Sequence, residues 1–310
     1  MTAFLSSSFR IPVVALALMI FLFIAQGCGS SRVAPKPSEY DEAAIRLNQS
    51  AQIAYDSGQL ELAANLYRQA LDRAYLRDDH KAIIDAQYNL AVCMLGLRAY
   101  DQALAWVYRA QNELLRSGQS VTADVLLLEA VILFRTGKPD KAWRITDQIL
   151  SAPGLAPVTV AGKTHFLRGL IADQRGDSDQ LGREIEVLAR SIDTGGRADH
   201  EELTGRLARA AGNWPAAIEA FDETARLRRQ DRDYHEMAQA LALAADACRQ
   251  DGHPKRAAVR YLRAGRSAAQ QGNDPEAKEW LNRAVELAGQ AGDESLEEEA
   301  RSYLKGLQSP

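Results

Sequence analysis

Apolar and small residues recur along this chain at three- and four-residue steps from Asp41 to Leu307. That spacing places them on one face of a helix. The clearest stretch runs from Gly212 to Ala225. Gly212 ends one helix, and Pro215 suits the first turn of the next, where its missing N–H costs nothing. Trp214, Ala217, Phe221 and Ala225 then share a face. Ala217 lets a second helix come close, and Phe221 fills the space beside it. No stretch alternates in strand fashion, and no Asn-Gly hairpin signal occurs. The pattern predicts helices throughout.

The same grammar returns at a fixed period. Its turns fall at Gly58, Arg98, Gly137, Gly176, Gly212 and Gly252, with arginine replacing glycine in the second copy. The steps between them are 40, 39, 39, 36 and 40 residues. A period in this range signals a solenoid. After each turn comes a small slot and then a larger residue: Ala63 and Tyr67, Ala103 and Val107, Ala142 and Thr146, Ala217 and Phe221, Ala257 and Tyr261. Copy four departs, with Leu181 in the alanine position. The helix preceding each turn has its own small slot, at Ala51, Ala91, Ala130, Gly169, Gly205, Ala245 and, in a seventh partial copy, Ala284.

This arrangement resembles the tetratricopeptide repeat, a helix–turn–helix unit with small residues where its helices touch. The resemblance covers about Asp41 to Leu307 and implies an all-α, right-handed solenoid of six to seven repeats. Ser295 to Leu307 is expected as a capping helix, with Leu296, Ala300 and Leu304 inward and Glu297, Glu298 and Glu299 outward. The copies exceed the usual repeat length. The surplus, as in Arg228 to Asp233, is expected in longer second helices and in loops between repeats.

The N-terminus reads differently. One positive charge, Arg10, precedes an apolar run from Ile11 to Ala25. A spanning helix needs roughly 20 apolar residues, whereas the core of a signal peptide needs roughly 7–15. The run closes on Ala25-Gln26-Gly27-Cys28, which resembles a bacterial lipobox. That resemblance implies cleavage before Cys28 and its acylation, with palmitate-class chains giving firm anchoring at about 0.8 kcal/mol per buried CH₂. An ordinary cleaved signal or an uncleaved anchor are the alternatives. Gly29 after the cysteine, by resemblance to lipoprotein sorting, favours the periplasmic face of the outer membrane over the inner membrane or free periplasm. Residues 28–40, with Pro35 and Pro37, read as a flexible tether. The expected organisation is therefore 1–27 signal, 28–40 tether and 41–310 repeats.

Charge and chemistry narrow the function. The 37 Lys and Arg against 41 Asp and Glu give a net charge of −4, which argues against nucleic acid as a partner. His200-Glu201 and His235-Glu236 begin like zinc-protease motifs but lack the second histidine. Gly195-Gly196 is expected as an inter-repeat turn, not a phosphate cradle. Cys93 and Cys248 sit beside core slots and read as small buried hydrophobes. Four repeats separate them, far beyond disulfide reach. No catalytic, metal or cofactor constellation emerges, so neither an enzyme nor a small-molecule binder is expected.

The repeat resemblance implies instead that the first helices line a concave groove for proteins or peptides. Its centre is expected to be apolar and aromatic: Tyr88, Asn89 and Val92 in copy two, Leu127, Val131 and Phe134 in copy three, and Phe166 and Leu170 in copy four. The polar and charged positions Asp199, Glu202 and Arg206, then Gln239, Asp246 and Arg249, are expected exposed at one end. Alternatively, the copy-three residues pack inside the repeat. One subfamily clamps a terminal carboxylate; Asn89 fits its pattern, but Asn48, Asp124 and Leu128 do not. The expectation is a lipid-anchored scaffold or assembly factor for an envelope machine. The alternatives are an accessory subunit of an envelope hydrolase or transferase, and a soluble adaptor.

Overall fold

The computed structural model describes residues 39–151 and 156–307, with side chains from Glu42 onward. The expected signal, Cys28 and most of the tether lie outside the described residues. The helical repeats form one unit from Ala43 onward.

Among the described residues the chain is all-α. The first half holds α1 (Glu39–Asp56), α2 (Leu60–Leu76), α3 (His80–Gly96), α4 (Tyr100–Arg116), α5 (Ala123–Arg135), α6 (Pro139–Ser151) and α7 (Val158–Arg175). The second holds α8 (Ser178–Leu188), α9 (Thr194–Ala210), α10 (Trp214–Gln230), α11 (Tyr234–Gln250), α12 (Pro254–Gln270), α13 (Asp274–Gln290) and α14 (Glu294–Gly306). They pack in consecutive pairs, each pair against its sequence neighbours. Helix α1 begins inside the stretch expected as tether. The expected capping helix is α14, the second helix of a complete seventh pair.

The turns explain why the helices stop where they do. Each within-pair turn of the first six pairs has a residue in the left-handed region, from Gly58 (φ 76°) to Gly252 (φ 77°), with Arg98 at 58°. The amide after it bonds back five residues, as in Gln59 N–H to the Ala54 carbonyl (2.8 Å) and Ala99 N–H to Met94 (2.9 Å). This Schellman geometry satisfies helix-end carbonyls. The same residue often caps the next helix: the Asp177 and Asn213 side chains accept from the Gln180 and Ala216 amides. One short turn thus stops one helix and starts another.

The turns between pairs use the same device, at Asp78 (φ 51°), Gly118 (φ 76°), Arg232 (φ 61°) and Gly272 (φ 73°). This corrects the expected placement of the surplus. Helices α2, α3, α4 and α9 to α13 are each 17 residues long. In these pairs the extra residues therefore lengthen first and second helices alike. In pairs three and four the helices α5, α6 and α8 are shorter, at 13, 13 and 11 residues, and residues 117–122 and 189–193 form connections. Arg228 and Arg229 lie in α10. Gly195 and Gly196 are not a turn but the start of α9, where the Asp193 carboxylate accepts from the Gly196 amide (2.8 Å).

The small slots carry the packing. Ala51, Ala63, Ala91, Ala103, Ala130, Ala142, Ala217, Ala245, Ala257 and Ala284 are all fully buried. Gly205 admits the Phe221 ring so closely that a methyl there would lie 2.7 Å from it. Copy four inverts the scheme. Leu181 is buried on α8, and Gly169 on α7 makes room for Leu203, whose Cδ1 would be 2.2 Å from an added methyl. Helix α8 is short at 11 residues. The apolar core follows suit. One large cluster spans the first three pairs and another spans pairs five to seven. Between them it breaks into smaller clusters.

Candidate partner-binding face

The face is built from the first helix of each pair. Tyr55 on α1 and Tyr88 and Val92 on α3 pack on one side against the cluster of the first pairs. Leu127, Val131 and Phe134 on α5 do the same in pair three. Phe166 and Leu170 on α7 follow in pair four. The eight residues expected in the groove, Asn89 included, are all half-buried. Each has one side against the core and another reaching water. Beneath them, Leu126, Leu128, Ile132 and Leu133 form the interior of pair three.

Polar groups punctuate this apolar row. Burial and then nearby groups, Asp233 among them, push the Tyr55 phenol up to about 12. Burial and then Asp124 raise Tyr88. Both phenols therefore stay protonated and can donate hydrogen bonds. The Asn89 side chain makes no hydrogen bond among the described residues, so its amide is available as donor and acceptor. An apolar floor with such groups suits a polypeptide segment, whose backbone needs both.

At the copy-four end the sequence expectation needs correcting. Asp199 and Glu202 are not exposed: their residues retain 1% and 6% of their accessible surface. Asp199 lies between the Lys163 ammonium (2.8 Å to Oδ2) and the Arg228 guanidinium (2.5 Å to Oδ1). Glu202 accepts from Arg206 at 2.7 Å, and Arg206 and Arg209 both reach Asp173, at 3.0 and 2.8 Å. Burial works against the Arg206 charge, but Glu202 and Asp173 outweigh it and hold the guanidinium protonated. His165 and Arg168 likewise converge on Glu184, at 2.6 and 2.9 Å. These links join α7, α8, α9 and α10 where the apolar core is thin. Sequence reasoning missed the network because the partners of Asp199 and Asp173 lie 29 to 36 residues away and those of Glu184 lie 16 and 19 away, so each alone reads as a solvated charge.

Cys93 and Cys248 are free thiols, both buried. Burial pushes the Cys93 thiol up to about 11, so it stays protonated and acts as a small apolar residue, as expected. No group of three or more His, Cys, Asp or Glu side chains able to hold a metal occurs among the described residues. No helix among them is long and apolar enough to cross a membrane.

Comparison with known proteins agrees with this architecture. Residues 48–114 match the tetratricopeptide repeat family model. No curated protein matches the chain. Among solved structures, the apo form of the quorum sensor NprR from B. thuringiensis is similar over 96% of this chain and 95% of its own, at 10% identity and a TM-score of 0.55. A signal transduction ATPase with numerous domains from Pyrococcus horikoshii, with a tetratricopeptide repeat sensor, covers 86% of this chain at 13% identity and a TM-score of 0.53. The match covers 40% of that protein. The chain has an all-α helical-repeat fold, with a tetratricopeptide match across its first two pairs.

Proposed function

We propose that this chain is a protein-interaction scaffold that holds a segment of another protein along the first-helix face of pairs two to four. The observation that carries this is the row of half-buried apolar and aromatic side chains from Tyr88 to Leu170 beside the open Asn89 amide. Apolar surface left beside a well-filled core marks a partner site, and aromatics make good anchors. The lipobox-like Ala25-Gln26-Gly27-Cys28 supports an acylated N-terminus on the periplasmic face of the outer membrane. In that setting the scaffold serves as an assembly factor for an envelope machine.

Two measurements test this. The double variant Phe134→Ala, Phe166→Glu should weaken capture of crosslinked partners by roughly 30-fold or more, the loss expected when a binding hot spot is removed. Its circular dichroism should stay unchanged. Unaltered capture would sink the groove. Membrane fractionation of Cys28→Ala should release the protein from the outer membrane; wild-type behaviour of this variant would remove the anchor and every envelope-specific part of the reading.

A further inference from the structure

Arg98 is unusual twice over. It holds the left-handed conformation (φ 58°) at a turn where the other six pairs have glycine. Side chains with a Cβ rarely adopt that conformation. Its guanidinium also pairs with Glu276, 178 residues away. Glu276 is prepared to receive it. It lies on the first turn of α13, where Gln239 on α11 donates to it at 2.8 Å and Asn273 at 2.7 Å. A second contact lies alongside. A methyl added to Gly58, in the α1–α2 turn, would sit 3.1 Å from the Gln271 carbonyl oxygen in the α12–α13 turn. The turns within pairs one and two therefore rest on the approach to pair seven. The row of repeats comes round and meets itself edge to edge.

This seam differs from every other repeat junction. Neighbouring pairs share apolar clusters, but the cluster of pairs one to three and that of pairs five to seven have no residue in common. The Arg98 side chain is 61% exposed and that of Glu276 only 8%. A half-solvated ion pair and a close glycine backbone are weak bonds beside a packed core.

We propose that Arg98 and Glu276 form a clasp that holds one turn of the solenoid closed, and that its release spreads the first pairs from the last and opens the inner face. The inference stands whether or not the partner reading is correct. A clasp of this kind admits a segment from the side when open and retains it when closed.

The test uses the full chain with Arg98→Gly, Arg98→Lys and Glu276→Gln. Glycine suits the turn better than arginine, so Arg98→Gly should keep or raise the melting temperature. Removal of the clasp should nonetheless enlarge the radius of gyration in solution scattering. It should also speed amide exchange several-fold at residues 57–60 and 271–274, with no change in α5 to α8. Glu276→Gln should do the same, and Arg98→Lys should do less. Salt of about 1 M, where the screening length falls to about 3 Å, should open the wild type and leave Arg98→Gly unchanged. If both Arg98→Gly and Glu276→Gln keep the wild-type radius and seam exchange, Arg98 merely fills a turn and the clasp is wrong. The partner-capture measurement is separate, so failure of either idea is visible without the other.

Discussion

Asp199→Ala is expected to destabilise the protein by about 3–5 kcal/mol, the usual result of stranding one member of a buried ion pair. Asp199 is the acceptor for two cations, Lys163 and Arg228. Lys163 is half in water and can rehydrate. Arg228 cannot, because its side chain keeps only 5% of its surface and its next carboxylate, Asp233, is 3.9 Å away. Its Nε already lacks a partner. Burial raises the Asp199 carboxyl pKa against the pull of the two cations, so the site carries a real desolvation cost even when intact. The double variant Asp199→Leu, Arg228→Leu should therefore recover much of the loss, because neither member of the pair is left buried without the other. Urea unfolding followed by circular dichroism measures both. Equal stability of the single and double variants would show that the pair is not coupled as described. Amide exchange should place the loosening in α7, α9 and α10, because repeats chiefly sense their neighbours.

Phe221→Ala is the second large effect, again about 3–5 kcal/mol, from lost transfer energy plus the cavity left behind. The ring is fully buried and lies on Gly205, where no Cβ intervenes. The cavity would open onto a glycine, and neither helix can close it without shifting its neighbour. Gly205→Ala alone should also destabilise, since its methyl would sit 2.7 Å from the ring and 3.0 Å from Cζ. Combined, the two changes should interfere less than their sum, because the methyl enters the space the ring vacated. Thermal melts of the four proteins form the cycle. Simple additivity would mean that the two residues do not share the contact. A stabilising Gly205→Ala would mean that the ring has room to move.

These residues also show what was legible beforehand. Gly205 was readable as a small slot and Phe221 as a large one, since such residues repeat in step with the turns, but their contact across the helix pair was seen only in the structure. Half of the Asp199 site was visible as an inner charge, but its burial was not, because its cations stand on other helices. Tyr88, Leu127 and Phe134 were assigned to one face by the repeat resemblance, and the core beneath them leaves them half-buried. Arg98 was noticed only as an odd occupant of a glycine position.

The chain alone determined the helices, their turns and the alternation of small and large slots. Those features depend on backbone conformation and on neighbours one or two helices away. The left-handed turn at Gly212 and the close approach at Ala217 need nothing distant. Tertiary structure decided that surplus residues lengthen both helices of a pair, that α7 to α10 are tied by buried ion pairs, and that Arg98 meets Glu276. Each of these depends on where one repeat lies relative to another several helices away. That placement is the accumulated sum of small rotations between successive pairs, and no single stretch of sequence encodes the sum.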